Sequence, residues 1–335
     1  SRRRRLDGSH AVNLRDGAFG APLNPAIGRG FTYADCRVDD ARLVALNAVD
    51  AAERGARIET RCAFLDARSD DGLWRARLQR AGYAPFTVSA RAMVNAAGPW
   101  VDKVLGATGG RGPEAHLRLV KGSHIVVPRL HAGNHAYILQ NDDSGGVFVL
   151  PFETDFSLIG TTDVPFDGDP ARVTASEEEI SYLCAAVNRY FAAPVSPSDV
   201  VWTVAGVRPL YDDHAANAST VTRDYVLDLQ AHEGAPPLLS VFGGKITTYR
   251  ELALHALDRL GRFFPGMPPC TTGTIPLPGG DMPGGDFTRF ANEFARAHAF
   301  LRPAQALRLA HAYGTRAEQI VAGATCLADL GEDLG

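Results

Sequence analysis

No stretch of the sequence approaches the roughly 20 uninterrupted apolar residues that a spanning helix needs, so any membrane contact is expected to be peripheral. Cysteine is scarce. The five present (Cys36, Cys62, Cys184, Cys270 and Cys326) are odd in number, far apart and without a CxxC pair. That pattern predicts reduced, mostly structural thiols of a cytoplasmic protein and argues against a zinc site. Neither sign of charge dominates: 34 Lys and Arg against 38 Asp and Glu leave a formal net charge of −4, which excludes nucleic-acid binding by bulk positive charge. Several chemical signatures are missing too. No G-x-G-x-x-G occurs, because Gly17-Ala18-Phe19-Gly20 and Gly106-Ala107-Thr108-Gly109-Gly110 lack the spacing and the preceding strand. Without Walker A, G-x-S-x-G or HExxH, the NTPase, hydrolase-elbow and zincin readings lose their support.

What remains is ample for a globular fold. With 45% hydrophobic and 21% charged residues, 335 residues can bury a large core and suggest about two domains. The 34 Gly and 21 Pro are scattered, which predicts many tight turns between short elements. A helix is expected from Asp39 towards Gly55, with acids at its start to suit the macrodipole, followed by a strand at Arg57–Arg61. Leu73–Leu78 and Phe86–Ala90 alternate as strands, and Ala92–Trp100 reads as a buried strand that delivers its Gly-Pro end into a site. The middle third changes character. Ser123–Val127, Ala136–Leu139, Val147–Leu150 and Phe156–Gly160 are short strands of an antiparallel sheet, followed by a helix at Ser176–Tyr190. Strands then follow at Val201–Gly206, Tyr225–Asp228 and Pro237–Phe242, a helix runs from about Thr247 to Leu260, and the chain is Ala- and Arg-rich and helical from Phe287 onward.

Chemistry is most legible in Ser240-Val241-Phe242-Gly243-Gly244-Lys245-Ile246-Thr247-Thr248-Tyr249-Arg250, a strand, a glycine turn and a helix start. Such a turn exposes backbone N–H groups at the positive end of a helix dipole, and glycine lets a flat or anionic ligand approach closely. A plain strand-to-helix turn with a surface lysine fits the same residues. In Ala205-Gly206-Val207-Arg208-Pro209-Leu210 an arginine ends an apolar strand, where it can either grip a phosphate or carboxylate bidentately or form a structural salt bridge. Lys121-Gly122-Ser123-His124 sets a histidine at a strand start beside a lysine, as a base near neutral pH or as a satisfied core histidine. His131 and His135 are four apart but follow Pro128 and include Gly133, which argues against a helical metal pair.

Together these segments, with Tyr33-Ala34-Asp35-Cys36-Arg37-Val38-Asp39-Asp40-Ala41-Arg42-Leu43, Val94-Asn95-Ala96-Ala97-Gly98-Pro99-Trp100 and Ile159-Gly160-Thr161-Thr162-Asp163, closely resemble the aerobic, FAD-dependent glycerol-3-phosphate dehydrogenases of bacteria. The resemblance covers nearly the whole chain. It implies an α/β fold with α+β character: an incomplete FAD-binding domain (35–115 and 236–265), an antiparallel-sheet substrate domain (1–34 and 116–235) and the start of a helical domain (275–335). Within that family the chain looks truncated at both ends, with the glycine fingerprint expected before Ser1 and further helices after Gly335, so that alone it is expected to hold FAD poorly.

The implied reaction is oxidation of sn-glycerol 3-phosphate to dihydroxyacetone phosphate, with electrons passing through FAD to a membrane quinone on the inner face of the cytoplasmic membrane. Arg208 is implied to anchor and polarise the substrate, Lys245 to place a cation near flavin and substrate, and His124 to act as base, unless Arg208 and Lys245 instead stabilise an alkoxide. Thr161 and Arg223 match pocket positions, Arg223 as a second phosphate clamp or as an ion-pair partner of Asp224. Ala97, Gly98 and Trp100 match the strand end that meets FAD, Arg61, Cys62 and Ala63 a contact to its adenine region, and Gly243, Gly244, Lys245, Ile246, Thr247 and Thr248 the segment at the flavin's pyrimidine edge. The resemblance leaves room for a homodimer. It also leaves two rivals: a related flavin amine or amino-acid oxidase, in which Arg208 holds a carboxylate, and a catalytically inactive substrate-binding piece. The Arg2–Arg5 run suits either anionic lipid or plain solvent.

Overall fold

The computed structural model describes residues 7–109, 117–142, 145–211 and 224–332. Chain contacts divide it into two units: residues 1–36 with 63–263, and residues 37–62 with 264–335. Arg223 and the Arg2–Arg5 run lie outside the described residues.

The first unit is organised by a six-stranded antiparallel sheet whose spine is the long strand Leu117–Pro128. Trp202–Tyr211 pairs along nearly all of that spine, from Trp202 opposite Val126 to Tyr211 opposite Leu117. Phe156–Gly160 pairs with its second half, and Gly146–Phe152 and Tyr137–Gln140 extend the sheet outward. Period-two alternation sorts the side chains. Ile125, Val127, Ile159, Val149 and Leu139 pack beneath the sheet with Leu183 and Val187 of the helix Glu177–Asn188, and Ile125, Val127 and Ile159 are fully buried. The helix starts where its capping box requires, with the Ser176 hydroxyl accepting from the Glu179 N–H and Glu179 accepting from the Ser176 N–H.

The opposite face carries apolar side chains that nothing covers among the described residues. One cross-strand row reads Val204, His124, Gly160, Phe148, Ile138, and its three aliphatic or aromatic members Val204, Phe148 and Ile138 are each about two-fifths exposed.

A second sheet joins Tyr225–Gln230, Leu238–Gly243 and Met93–Asn95. The last two run parallel, with Ser240 opposite Asn95, so both chains leave the sheet on the same side. A third, Cys62–Asp70 with Leu73–Arg80 and Phe86–Ala90, shares a core with the second through Trp74, Leu238 and Phe242, and the Trp74 indole donates to the Pro237 carbonyl at 3.0 Å. The second unit is helical. Asp40–Glu53 begins with Asp39 capping the Arg42 N–H, while Phe287–Ala297 and Pro303–Tyr313 enclose Phe294, Ala306 and Ala310. No helix among the described residues is long and apolar enough to cross a membrane.

Three expectations need correction. Arg57–Arg61 is not a strand; Arg61 takes a left-handed φ of 53°, and pairing begins only at Cys62. The Ala92–Trp100 strand is only Met93–Asn95, and Val94 is half exposed, because the Asn95 amide donates to the Val101 carbonyl and turns the chain at once into a short helix. His124 lies in the middle of its strand rather than at its start, since Gly122 does not interrupt the pairing.

His131 and His135 sit in a bend, their rings 4.6 Å apart beside Tyr137. Burial, aided by His135 and Arg129, pushes the His131 imidazole down to about 4. Between that value and the ordinary 6.5 the unfolded chain binds more protons, so stability is intact above pH 6.5 and falls as pH drops, by about 3 kcal/mol at the lower end. Thermal midpoints recorded from pH 7.5 to 4.5 are expected to decline in the parent and to flatten in His131→Phe. A parallel decline in both would assign the acid lability elsewhere.

Candidate active site

Two glycines on the open face of the sheet act as seats for two of the candidate side chains. A Cβ on Gly122 would lie 2.6 Å from Arg208 Nη2 and 2.7 Å from Thr161 Oγ1, so the guanidinium rests where a side chain at 122 would be. A Cβ on Gly160 would lie 2.1 Å from the His124 ring. Arg208 donates from Nη2 to Thr161 Oγ1 at 3.1 Å and pairs through Nη1 with Asp163. His124 stands opposite Val204, two pairs along the same strand from Gly206 opposite Gly122. Burial first, and the Arg208 charge second, lower the His124 imidazole below its usual range, which keeps it neutral and able to accept a proton.

Alternation sends Lys121 and Ser123 to the other face. There Glu179, about one-twentieth exposed, receives Lys121 Nζ at 2.7 Å, the Thr162 hydroxyl at 2.6 Å and the Ser123 hydroxyl at 2.9 Å. Burial works to raise the Glu179 carboxyl, but hydrogen bonds from Lys121, Thr162, Ser176 and Ser123 outweigh it and hold the carboxyl below the ordinary range. Lys121 is therefore a partner of Glu179 beneath the sheet and not a neighbour of the His124 ring.

The glycine turn is adjacent. Gly243 and Gly244 have φ of 71° and 99°, values that favour glycine, and a Cβ on Gly243 would lie 3.7 Å from the carbonyl of Pro209, the residue after Arg208. Exposed Lys245 follows as N-cap of the short helix Ile246–Thr248, which leads into Tyr249–Leu260. Within the segment expected at the pyrimidine edge, the Thr248 N–H is already taken: it donates to the Lys245 carbonyl at 3.0 Å, closing the turn. Ala97, Gly98 (φ 54°) and two-fifths-exposed Trp100 leave the parallel neighbour strand at the same end as this turn. The crevice outside the carboxyl ends of parallel strands is where α/β sheets bind ligands. Ala63, the second residue of the strand Cys62–Asp70, is exposed, as is Arg61 just before that strand.

Residues 2–250 match the family model described as FAD dependent oxidoreductase. The chain belongs to that family. It is 47% identical over 315 residues to a glycerol-3-phosphate dehydrogenase of Pseudomonas aeruginosa, covering 94% of this chain and 61% of the relative. It is 44% identical to a D-erythritol 1-phosphate dehydrogenase of Brucella abortus, covering 99% and 66%. Among solved structures, the glycerol-3-phosphate dehydrogenase from Bacillus halodurans complexed with FAD superposes with a TM-score of 0.78 at 27% identity, covering 94% of this chain and 64% of that one. The chain thus spans a little under two thirds of the length of these relatives.

FAD is the family's cofactor, and the local structure fits the ring end of such a group. The left-handed Gly243-Gly244 turn leaves no room for a Cβ, which on Gly243 would meet the Asp224 carbonyl at 2.8 Å, and it ends the strand Leu238–Gly243 on the side where the parallel strand Met93–Asn95 also exits. The glycine fingerprint for a diphosphate does not occur in these 335 residues. Sequence reasoning reached Arg208, Thr161, His124 and the glycine turn but assigned nothing to Asp163, Thr162, Gly122, Gly160 or Glu179. Four of these lay inside the quoted Lys121–His124 and Ile159–Asp163 segments. Glu179 carried only the Ser-x-x-Glu spacing of a helix cap.

Proposed function

We propose that the protein of which this chain is part oxidises a polyol phosphate, sn-glycerol 3-phosphate, at its secondary alcohol to give dihydroxyacetone phosphate. The observation that carries this reading is a fixed guanidinium and a neutral imidazole on one face of one sheet, seated over Gly122 and Gly160, with the family's glycine turn alongside. Arg208 binds the anionic group of the substrate, Thr161 adds a hydroxyl, and His124 Nδ1 or Nε2 takes the hydroxyl proton. FAD, when bound, supplies the hydride acceptor. Lys245, at the end of the same turn, adds positive charge on that side, and Arg223 is a second phosphate clamp in this reading. The apolar row of Val204 and Phe148 keeps water from the reacting carbon. Electrons then leave for a membrane quinone, with the protein attached peripherally to the cytoplasmic face of the membrane.

The test is dye reduction by the purified whole enzyme with glycerol 3-phosphate, D-erythritol 1-phosphate, glycine and sarcosine. Turnover with glycerol 3-phosphate well above the rest is expected. Preference for the amines would replace the reading with an amine oxidase, and preference for the four-carbon phosphate would keep the chemistry and change the substrate.

The imidazole must be neutral to act, and its proton affinity is depressed. The acid limb of kcat/KM is therefore expected below the ordinary histidine range, with activity lost only as pH falls through that lowered value. His124→Asn is expected to remove the limb and to slow the reaction by roughly 10²–10⁴. A limb that persists in the variant would transfer the role to another group.

A further inference from the structure

Glu179 is a buried carboxylate that the proposed reaction does not use. It lies on the far side of the sheet from Arg208. As a helix cap it needs only the bond from the Ser176 N–H, at 2.9 Å to Oε2. It makes three more, to Lys121, Ser123 and Thr162, and burying a carboxylate with so many partners exceeds what a cap requires.

The connection to the open face runs through three consecutive residues. Thr161 Oγ1 and an Asp163 carboxylate oxygen receive the two terminal nitrogens of Arg208, forming a fork around the guanidinium. Between them Thr162 faces the opposite way. Its hydroxyl donates to Glu179 Oε1 at 2.6 Å and accepts from the Ser123 N–H at 2.9 Å, and its own N–H reaches the Ser123 carbonyl at 3.4 Å. Both acceptors that hold the guanidinium are thus tethered by the residue between them, and that residue is held by Glu179. A planar guanidinium recognises an anion only in a defined orientation, so a loosened fork costs aim before it costs charge.

We propose that Glu179 is a positioning residue: through Thr162 it fixes the Thr161–Asp163 fork that aims Arg208 at the anionic substrate. The role rests on the reading of Arg208 as the anion anchor. It predicts an effect on binding that ground state and transition state share, and so a change in KM with little change in kcat.

The experiment compares Thr162→Val, Thr162→Ser, Glu179→Gln and Arg208→Ala in the flavin-loaded whole enzyme, with glycerol 3-phosphate as substrate and flavin per polypeptide measured alongside. Thr162→Val and Glu179→Gln are expected to raise KM about tenfold with kcat within about twofold and flavin content unchanged, while Thr162→Ser, which restores the hydroxyl, stays within about twofold of the parent KM. A purely structural network would lower the amount of folded enzyme and leave KM alone. Should Glu179→Gln fail to accumulate, Thr162→Val decides the matter, because it is nearly isosteric and leaves the Lys121–Glu179 pair in place. Thr162→Val with full flavin and parental KM, while Arg208→Ala raises KM, would overturn the role of Glu179 alone. An Arg208→Ala enzyme with parental kinetics would overturn the anchor reading, and the positioning role with it.

Discussion

Replacing Arg208 with alanine is expected to lower kcat/KM for glycerol 3-phosphate by roughly 10²–10³, about 3–4 kcal/mol of transition-state binding, as loss of a charged two-point contact does. The expectation follows from where the side chain lies. Its backbone belongs to a strand paired along the spine of the sheet, its guanidinium occupies the space above Gly122, and two acceptors on one loop fix its plane. Arg208→Lys keeps the charge but cannot span Thr161 and Asp163 together, so it is expected to recover only part of the loss. The rival reading is an ion pair between Arg208 and Asp163 that serves stability alone; the side chains are 35% and 40% exposed, where such pairs contribute little. Under that reading Asp163→Asn and Arg208→Ala would have equal, small effects on the thermal midpoint and none on KM. A large kinetic loss in Arg208→Ala, with a much smaller one in Asp163→Asn, separates the two. Steady-state dye reduction over a wide substrate range is the measurement, and parental kinetics for Arg208→Ala would remove this residue from the site.

The parts of this arrangement legible in the sequence are those where a local pattern and a local structure coincide. The short apolar segments Val147–Leu150 and Phe156–Gly160, set between turns, announced strands of an antiparallel sheet, and the glycine pair after Phe242 announced a turn into a helix. Long-range consequences of the same patterns were harder to read. Lys121 and His124 stand three apart on a strand, and a period of two sends them to opposite faces, yet adjacency in the motif suggested a shared site. Gly122 read as punctuation before a strand, whereas it lies inside one because Gly206 stands opposite it and the Arg208 side chain lies over it. Glu179 is more than 50 residues from the hydroxyl of Ser123 that it receives, and its capping-box spacing already explained its presence. At Arg57–Arg61 the charged and β-branched residues suggested a strand, but the left-handed Arg61 postpones pairing to Cys62. What propensity and spacing cannot report is which face a residue meets once strands from distant parts of the chain are in register.

The second large effect is expected at Gly243. Here two separate penalties fall on one position: a φ of 71°, which costs a residue with a Cβ about 1–2 kcal/mol, and a Cβ placed 2.8 Å from the Asp224 carbonyl oxygen, which the backbone must move to relieve. Gly243 pairs with Tyr225 at the end of its strand, so relief would spread the two strands just where the turn towards Lys245 begins. Gly234 separates the two penalties. It has a φ of 79° but nothing within 4 Å of an added Cβ, so Gly234→Ala carries the conformational cost without the collision. Gly234→Ala is expected to lower stability by about 1 kcal/mol, and Gly243→Ala by about 2–4 kcal/mol, a fall of roughly 5–10 °C in the thermal midpoint of a unit this size. In the whole enzyme Gly243→Ala should also lose most of its bound flavin, read from the visible absorbance per polypeptide, while Gly234→Ala keeps it. Equal thermal shifts with full flavin in both would mean that the Gly243 turn is only a connection between a strand and a helix. Flavin loss confined to Gly243→Ala ties the left-handed turn, and the Arg208 strand beside it, to the cofactor's ring.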